Sequence, residues 1–231
     1  MLNKIIRPVL AVMGTLVFAS TPLQGQIFTE IGDAGQTLGT VQGAGLVNGA
    51  PLSMIVGTIS SPTDADLFAF NITTPMTFSA TTNGGTTTID TALFLFNSSG
   101  MAIYTNDDAS GTSLQSTLPA GTSFTMSLAP GVYYLGISLS GNEPINSNGQ
   151  LLFAAFIGGD STSIRGAAAG VNPDTLADFN SLTAFAEMGA YRIDLTGASA
   201  VPEPSTLALG LAGAAAVFLV IRKQRRGAAS A

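Results

Sequence analysis

The chain has 231 residues and a net charge of -6, and it contains neither cysteine nor histidine. The lack of both residue types excludes thiol nucleophiles, disulfides, zinc sites of the usual kind and triads that need a histidine base. All fourteen acidic residues lie between Glu30 and Glu203, where only Arg165 and Arg192 are basic, so this region carries -12. Such a surface repels nucleic acid, and it favours cations or neutral polymers as partners.

Residues 1–25 have the layout of a signal peptide. Lys4 and Arg7 give a basic start, residues 8–19 are mostly apolar, and small residues up to Gly25 offer cleavage positions. The apolar stretch is short for a membrane span, so we expect cleavage, with an uncleaved anchor as the alternative. The sequence therefore predicts export of the chain.

Short alternating runs separated by turn residues follow from Leu52 to Leu139. Leu67–Ile72 alternates large apolar with smaller or polar residues, and Thr91–Phe96 and Met101–Thr105 flank a turn that ends in glycine. This pattern predicts strands and a hairpin. A second hairpin is expected from the runs at 123–128 and 132–139, with a last strand at 191–195. We predict an all-β fold, an antiparallel β-sandwich or jelly roll, as one extracytoplasmic domain over residues 26–200.

Two segments of this domain fit the pattern less well. Asn172–Phe185 has an N-cap residue, an early proline and apolar side chains at intervals of three, which is typical of a helix, and both a helix and a non-helical segment are left open here. Gly158–Gly170 is rich in glycine and alanine and is interpreted as a long loop.

Oxygen-bearing side chains are concentrated in the predicted turns and at strand ends. Such clusters suit a hard cation like Ca²⁺, but Asp and Asn also occur in turns because they bond nearby backbone amides. Glu30 and Asp33 precede the sheet and are interpreted as solvated surface. The candidate metal ligands are Asp64, Asp66, Asp90, Asn106, Asp107 and Asp108.

Four blocks, at residues 64–70, 90–100, 106–108 and 128–134, resemble the bacterial pre-peptidase C-terminal domain. The resemblance implies a small β-sandwich or jelly roll appended to secreted proteins, and calcium bound by acidic loop residues in some members. Carried over by position, it favours Asp90, Asn106, Asp107 and Asp108 as ligands, with Asp64 and Asp66 next. The stretch 141–189 departs from the family pattern.

The C-terminal segment has three parts in order. Val201, Pro202, Glu203 and Pro204 are followed by an uncharged run over 207–221 and then by four basic residues up to Arg226. The run predicts a single transmembrane helix with its basic end in the cytoplasm. Residues 201–226 resemble the PEP-CTERM sorting signal, which implies processing by the membrane protease exosortase. The resemblance implies an inner-membrane precursor, then a protein of the cell surface or exopolysaccharide-containing extracellular matrix.

Three functions are compatible with these features. The first is a structural or interaction β-sandwich that is not an enzyme and has exopolysaccharide or other surface components as partners. The second is a carbohydrate-active enzyme with two carboxylates across a cleft, or a carbohydrate-binding module. The third is an adhesion module stabilised by calcium as its cofactor. The first accounts best for both ends of the chain.

Overall fold

The computed structural model describes residues 25–45, 47–154, 161–171, 174–181 and 187–201. The chain is mainly β, with a 3-10 turn at Pro75–Thr77 and a short helix, α1, at Ser123–Met126. The strands in chain order are β1 Gln26–Thr29, β2 Gln42–Gly43, β3 Leu52–Ile59, β4 Ala65–Ile72, β5 Ser79–Thr81, β6 Thr91–Asn97, β7 Ala102–Asn106, β8 Thr117–Leu118, β9 Gly131–Leu139, β10 Asn142–Ile145, β11 Arg165–Gly166, β12 Asp178–Ser181, β13 Gly189–Thr196 and β14 Ala198–Ala200.

Two large sheets contain most of these strands. The seven-stranded sheet has the order β11-β7-β6-β9-β4-β14, with β2 also paired to β4, and the five-stranded sheet has the order β1-β3-β13-β5-β8. Most pairings are antiparallel, as predicted, but β1 pairs with β3 and β2 pairs with β4 in parallel. The short β10 and β12 form a separate antiparallel pair. The prediction of a mainly β chain is confirmed.

The two large sheets share one apolar core. Phe68, Phe70 and Ile72 of β4 lie in it together with Ile55 and Ile193 of the five-stranded sheet. This core accounts for the alternation that predicted β4, because every second residue of a strand faces the same side.

The outer face of the seven-stranded sheet carries a second core, formed with the region that follows β9. Leu67, Phe94 and Phe96 pack there with Leu152 and Phe179. Both faces of β4 and β6 are therefore covered, which explains why these strands have nearly continuous apolar sequences. The described residues from β10 to β12, here called the covering layer, include Leu152, Phe153 and Phe179, which pack on this face of the sheet.

The hairpin predicted between β6 and β7 is confirmed. Gly100 adopts a positive φ of 81° in its turn, and the side-chain oxygen of Asn97 accepts backbone N–H bonds from Ser99 and Met101 at 2.9 and 3.0 Å. The turn is thus fixed by local side-chain chemistry that the sequence displays directly.

The second predicted hairpin is wrong in its first strand. Residues 123–126 form α1, because the hydroxyl of Thr122 accepts the N–H of Thr125 at 3.2 Å and caps the helix. Phe124 stacks on Tyr104 with ring centroids 5.4 Å apart. The alternating sequence of this segment favoured a strand, but the threonine cap and the aromatic contact stabilise a short helix instead.

The helix predicted over Asn172–Phe185 is also wrong within the described residues. Asp178–Ser181 is β12, paired with β10, and Phe179 packs edge-on against Phe94 at 5.7 Å. Part of the long loop predicted at 158–170 is β11, which pairs with β7. Pairing with distant strands overrides the local helical spacing here.

The two ends of the chain are described only in part. The predicted strand 191–195 lies within β13, but β14 follows it and joins the other large sheet beside β4. Of the predicted signal peptide, only Gly25 lies within the described residues, and the predicted membrane helix at 207–221 lies outside them. Within the described part of the chain, no helix is long and apolar enough to cross a membrane.

Candidate metal centre

The predicted ligands converge on one end of the seven-stranded sheet. β4 and β6 begin there, while β7 and β9 end there, as the pairs Ala65 with Ser138, Thr91 with Leu139 and Leu93 with Asn106 demonstrate. Antiparallel neighbours bring the start of one strand beside the end of the next. The carboxylates divide into two groups at this end.

The first group, here called the N-terminal cluster, consists of Glu30, Asp33 and Asp66. One carboxylate oxygen from each lies within 4.8 Å of the others. Asp66 is on β4, whereas Glu30 and Asp33 belong to the loop after β1, which the parallel pairing of β1 with β3 holds in place. The cluster therefore joins the N-terminal strand region to the opposite sheet.

The interpretation of Glu30 as solvated surface is wrong. Its Oε1 accepts the N–H of Ala34 at 2.9 Å and its Oε2 accepts the N–H of Thr58 at 2.9 Å. Asp33 is exposed, as expected, but it faces the other two carboxylates. The parallel pairing of β1, which brings both residues to Asp66, has no clear signal in the sequence.

Asp66 is fully buried, and only one of its two carboxylate oxygens has a hydrogen-bond partner. Its Oδ2 accepts the hydroxyl of Tyr191 at 2.6 Å, while its Oδ1 has no hydrogen-bond partner. Burial is the main cause that raises the pKa of Asp66 to about 8, and the negative charges of Glu30, Asp64 and Asp33 raise it further. A cation would satisfy the free oxygen and offset the repulsion, so these residues fit a metal.

The backbone of Gly57 lies close to the side chains of Tyr191 and Glu30. A Cβ atom at Gly57 would lie 2.3 Å from the hydroxyl oxygen of Tyr191 and 2.4 Å from Oε2 of Glu30. Only glycine leaves room for both polar groups at this position. A depression of about 350 Å³, lined by Glu30, Gly32 and Arg192 among others, opens beside the cluster.

Asp64 lies next to the N-terminal cluster without joining it. Its Oδ2 accepts the N–H of Ser60 at 2.5 Å, and its backbone carbonyl accepts the side-chain N–H of Asn142 at 3.0 Å. These bonds are typical of an aspartate that fixes a turn. Asp64 contributes negative charge to Asp66.

The second group, here called the sheet-end cluster, consists of Asp90, Asp107, Asp108 and Glu143. Oδ2 of Asp107 accepts the hydroxyl of Ser140 at 3.1 Å, but its Oδ1 has no partner. A buried oxygen of Asp90 is also without a partner. Asp108 is partly exposed, and its Oδ2 accepts the hydroxyl of Ser161 at 2.5 Å.

Sequence reasoning missed Glu143, the most deeply buried member of this cluster. It is only 1% exposed, and neither of its carboxylate oxygens has a partner. Burial raises the pKa of Glu143 to about 8 and that of Asp107 to about 7, and the charge of Asp107 adds to the rise at Glu143. Glu143 lies between Asn142 and Pro144, and this short run has no periodic pattern that predicts its burial.

Asn106, also predicted as a ligand, uses both ends of its amide for hydrogen bonds. Its Oδ1 accepts the N–H of Thr117 at 2.8 Å, and its Nδ2 donates to the carbonyl of Thr162 at 3.2 Å. Both ends of the amide are therefore used to connect β7 with neighbouring segments. Asn106 precedes Asp107 of the sheet-end cluster, and its side chain links β7 to the segments around Thr117 and Thr162.

Comparison with known families agrees with the sequence motifs at both places. The model of the bacterial pre-peptidase C-terminal domain matches residues 64–139, and that of the PEP-CTERM protein-sorting motif matches residues 200–226. No curated protein matches the chain significantly. The sorting motif supports an exported surface protein that is targeted by exosortase and passes through a membrane-anchored precursor. Residues 64–139 are thus similar to the bacterial pre-peptidase C-terminal domain, and residues 200–226 are similar to the PEP-CTERM sorting motif.

Proposed function

We propose that this chain is a non-catalytic surface protein whose β-sandwich acts as a structural or interaction module and is stabilised by Ca²⁺ at the N-terminal cluster. The observation that carries the proposal is the meeting of Glu30, Asp33 and Asp66 within 4.8 Å, with a buried oxygen of Asp66 left free. Signal peptide, exosortase processing and the membrane-spanning segment deliver this module to the outside.

The chemistry of the cluster favours calcium over other metals. All its side-chain donors are carboxylate oxygens, and Ca²⁺ accepts six to eight oxygens in flexible geometry, whereas zinc prefers nitrogen and sulfur. Exposed Asp33 gives an ion access from solvent. The bound cation would link the loop after β1 to β4 and so fasten the N-terminal strand to the sandwich.

The same geometry disfavours the carbohydrate-active enzyme. Glycosidases place two carboxylates about 5 to 9.5 Å apart on either side of a sugar. Here three carboxylates meet at one point, and Asp66 is fully buried under Tyr191. A substrate cannot pass between groups arranged in this way, whereas a cation can.

Thermal unfolding of the full-length chain in non-ionic detergent tests the calcium proposal. A free ion concentration one hundred times above Kd contributes about 2.7 kcal/mol, which raises the melting temperature by roughly 5–10 °C for a domain of this size. Mg²⁺ at the same concentration should have a much smaller effect, since it prefers a tighter octahedral shell.

Asp33→Asn is the informative variant, because Asp33 is exposed and its replacement should therefore leave the fold intact. The calcium concentration needed for half of the rise should increase at least tenfold. Asp194→Asn is the matched control, since Asp194 is a partly exposed carboxylate that pairs with Arg192 on β13. A rise in melting temperature that is equal in wild type and Asp33→Asn, or absent from both, would refute the calcium role.

We also propose that the delivered module resides at the cell surface or in the extracellular matrix, with exopolysaccharide or other surface components as partners. The support is the sorting motif together with the strongly acidic domain, which suits neutral polymers. Co-sedimentation with purified exopolysaccharide from the producing cells tests this partner. Hydrolysis of the polymer, lost in Asp66→Asn, would instead support the enzyme.

A further inference from the structure

We propose that Asn83 is a site of spontaneous deamidation, at which the backbone nitrogen of Gly84 attacks the side-chain amide and water completes its conversion to a carboxylate. The chain contains three Asn-Gly dipeptides, at residues 48–49, 83–84 and 148–149. All three asparagines are exposed, so access of solvent alone does not rank them. The surroundings of each glycine nitrogen favour the dipeptide at 83–84. This inference does not depend on the proposed calcium site.

The reaction uses only the two residues and water. The nitrogen of Gly84 bonds to Cγ of Asn83, the bond from Cγ to the side-chain nitrogen breaks, and ammonia leaves with the proton that the Gly84 nitrogen gives up. Water then opens the succinimide ring at either carbonyl, so that its hydroxyl bonds to carbon and its hydrogen returns to nitrogen. The product at position 83 is aspartate or isoaspartate. Glycine favours the attack because it has no Cβ and adopts many backbone conformations.

The first support is the hydrogen bonding of the attacking nitrogen. The N–H of Gly49 donates to the carbonyl of Ala200 at 3.0 Å, and the N–H of Gly149 donates to the carbonyl of Asn146 at 2.9 Å. Among the residues that the structure describes, the N–H of Gly84 has no hydrogen-bond acceptor. The nitrogen must therefore leave a hydrogen bond before it attacks at the first two dipeptides, whereas at 83–84 it is free.

The second support is the setting of the loop 83–86, whose four residues are all exposed. A Cβ atom at Gly84 would have no heavy atom within 4 Å. The loop is held at its two ends, because Thr82 and Thr87 are buried and the hydroxyl of Thr87 accepts the N–H of Arg192 at 2.9 Å. The nitrogen can thus approach the side chain without any strand pairing being opened.

The location of the loop determines what a new carboxylate would do. A Cβ atom at Gly85 would lie 2.8 Å from Cδ of Arg192, so the loop rests against this arginine. The guanidinium of Arg192 pairs with Asp194 at 2.7 Å, and Arg192 also lines the depression beside the N-terminal cluster. Deamidation would add negative charge near one of the two basic residues between Glu30 and Glu203. The depression would therefore become more acidic as the protein ages.

Peptide mapping by mass spectrometry tests the proposal on the full-length chain in detergent, incubated for weeks at mildly alkaline pH. The peptide that contains Asn83 should gain the mass difference between OH and NH₂ roughly tenfold faster than the peptides that contain Asn48 and Asn148, which react only after local opening. A sample digested without incubation corrects for deamidation during digestion. In concentrated urea the three rates should become similar, because the hydrogen bonds of the folded state are lost.

Asn83→Gln is the matched variant, because the longer side chain would have to form a larger ring and reacts far more slowly. Isoelectric focusing should show an acidic form of the incubated wild type that largely disappears in Asn83→Gln and persists in Asn48→Gln. Thermal unfolding before incubation should be the same for all three proteins, since both asparagines are exposed. Equal rates at the three positions in the folded chain, or an acidic form that persists in Asn83→Gln, would overturn the proposal.

Discussion

In the absence of cations, the domain should lose stability as the pH rises. Burial raises the pKa of Asp66 and Glu143 to about 8 and that of Asp107 to about 7. The same groups titrate near pH 4 in an unfolded chain. Between about pH 4 and pH 8 the folded state therefore holds more protons than the unfolded state, so the free energy of unfolding falls as the pH increases. This direction is opposite to that of a carboxylate in an ion pair.

The size of the effect follows from the raised values. For Glu143, a rise of the pKa from 4.5 to about 8 corresponds to on the order of 5 kcal/mol above pH 8, at about 1.4 kcal/mol per pH unit. Local rearrangement and water entry reduce this cost. We expect a total loss of about 2–5 kcal/mol between pH 5 and pH 8, which is a large part of the stability of an ordinary domain.

Urea unfolding of the full-length chain in detergent, followed by circular dichroism from pH 5 to pH 8.5, measures this loss. In chelator the midpoint should fall with pH, and in excess calcium the fall should be smaller because the ion would stabilise the ionised carboxylate of Asp66. Glu143→Gln should flatten the curve in chelator, whereas Asp194→Asn should not. A midpoint in chelator that is constant or that rises over this range would refute the reasoning.

Three further changes have defined outcomes. Gly57→Ala should reduce the free energy of unfolding by about 1–3 kcal/mol and weaken the calcium response, because its Cβ would clash with Tyr191 and Glu30; thermal unfolding with and without calcium measures both. Phe94→Ala should cost about 3–5 kcal/mol in urea unfolding, since this fully buried ring contacts two aromatic rings of the covering layer. Alanines at 202–204 should cause the membrane-bound precursor to accumulate, as immunoblots of membrane fractions would detect, and normal processing would contradict the role of the motif.

The sequence predicted those parts of the fold that local chemistry controls. β4 and the hairpin of β6 and β7 were predicted because their alternation, apolar character and glycine turn agree with their tertiary setting. α1 and β12 were mispredicted for the opposite reason. The cap at Thr122 and the pairing of β12 with β10 outweigh the periodicity of their own residues.

The candidate sites were predictable to a similar extent. Strand-end aspartates converge, as the antiparallel pattern requires, so Asp66, Asp90 and Asp107 were named from sequence. Glu30 and Glu143 reach the clusters through the parallel strand β1 and the added pair of β10 and β12. Long-range pairings of this kind leave no periodic signal in a single sequence.

The last strand, β14, leads directly from the folded domain into the sorting motif. β14 pairs with β4, and the N–H of Val201 still donates to the carbonyl of Ala44 at 3.0 Å. Five residues separate Val201 from the apolar run that begins at Leu207, and an extended chain of that length spans at most about 20 Å. A precursor anchored by that run would therefore hold its sandwich close to the membrane surface, with residues 202–206 between them. The matched sorting motif begins at Ala200, the last residue of β14.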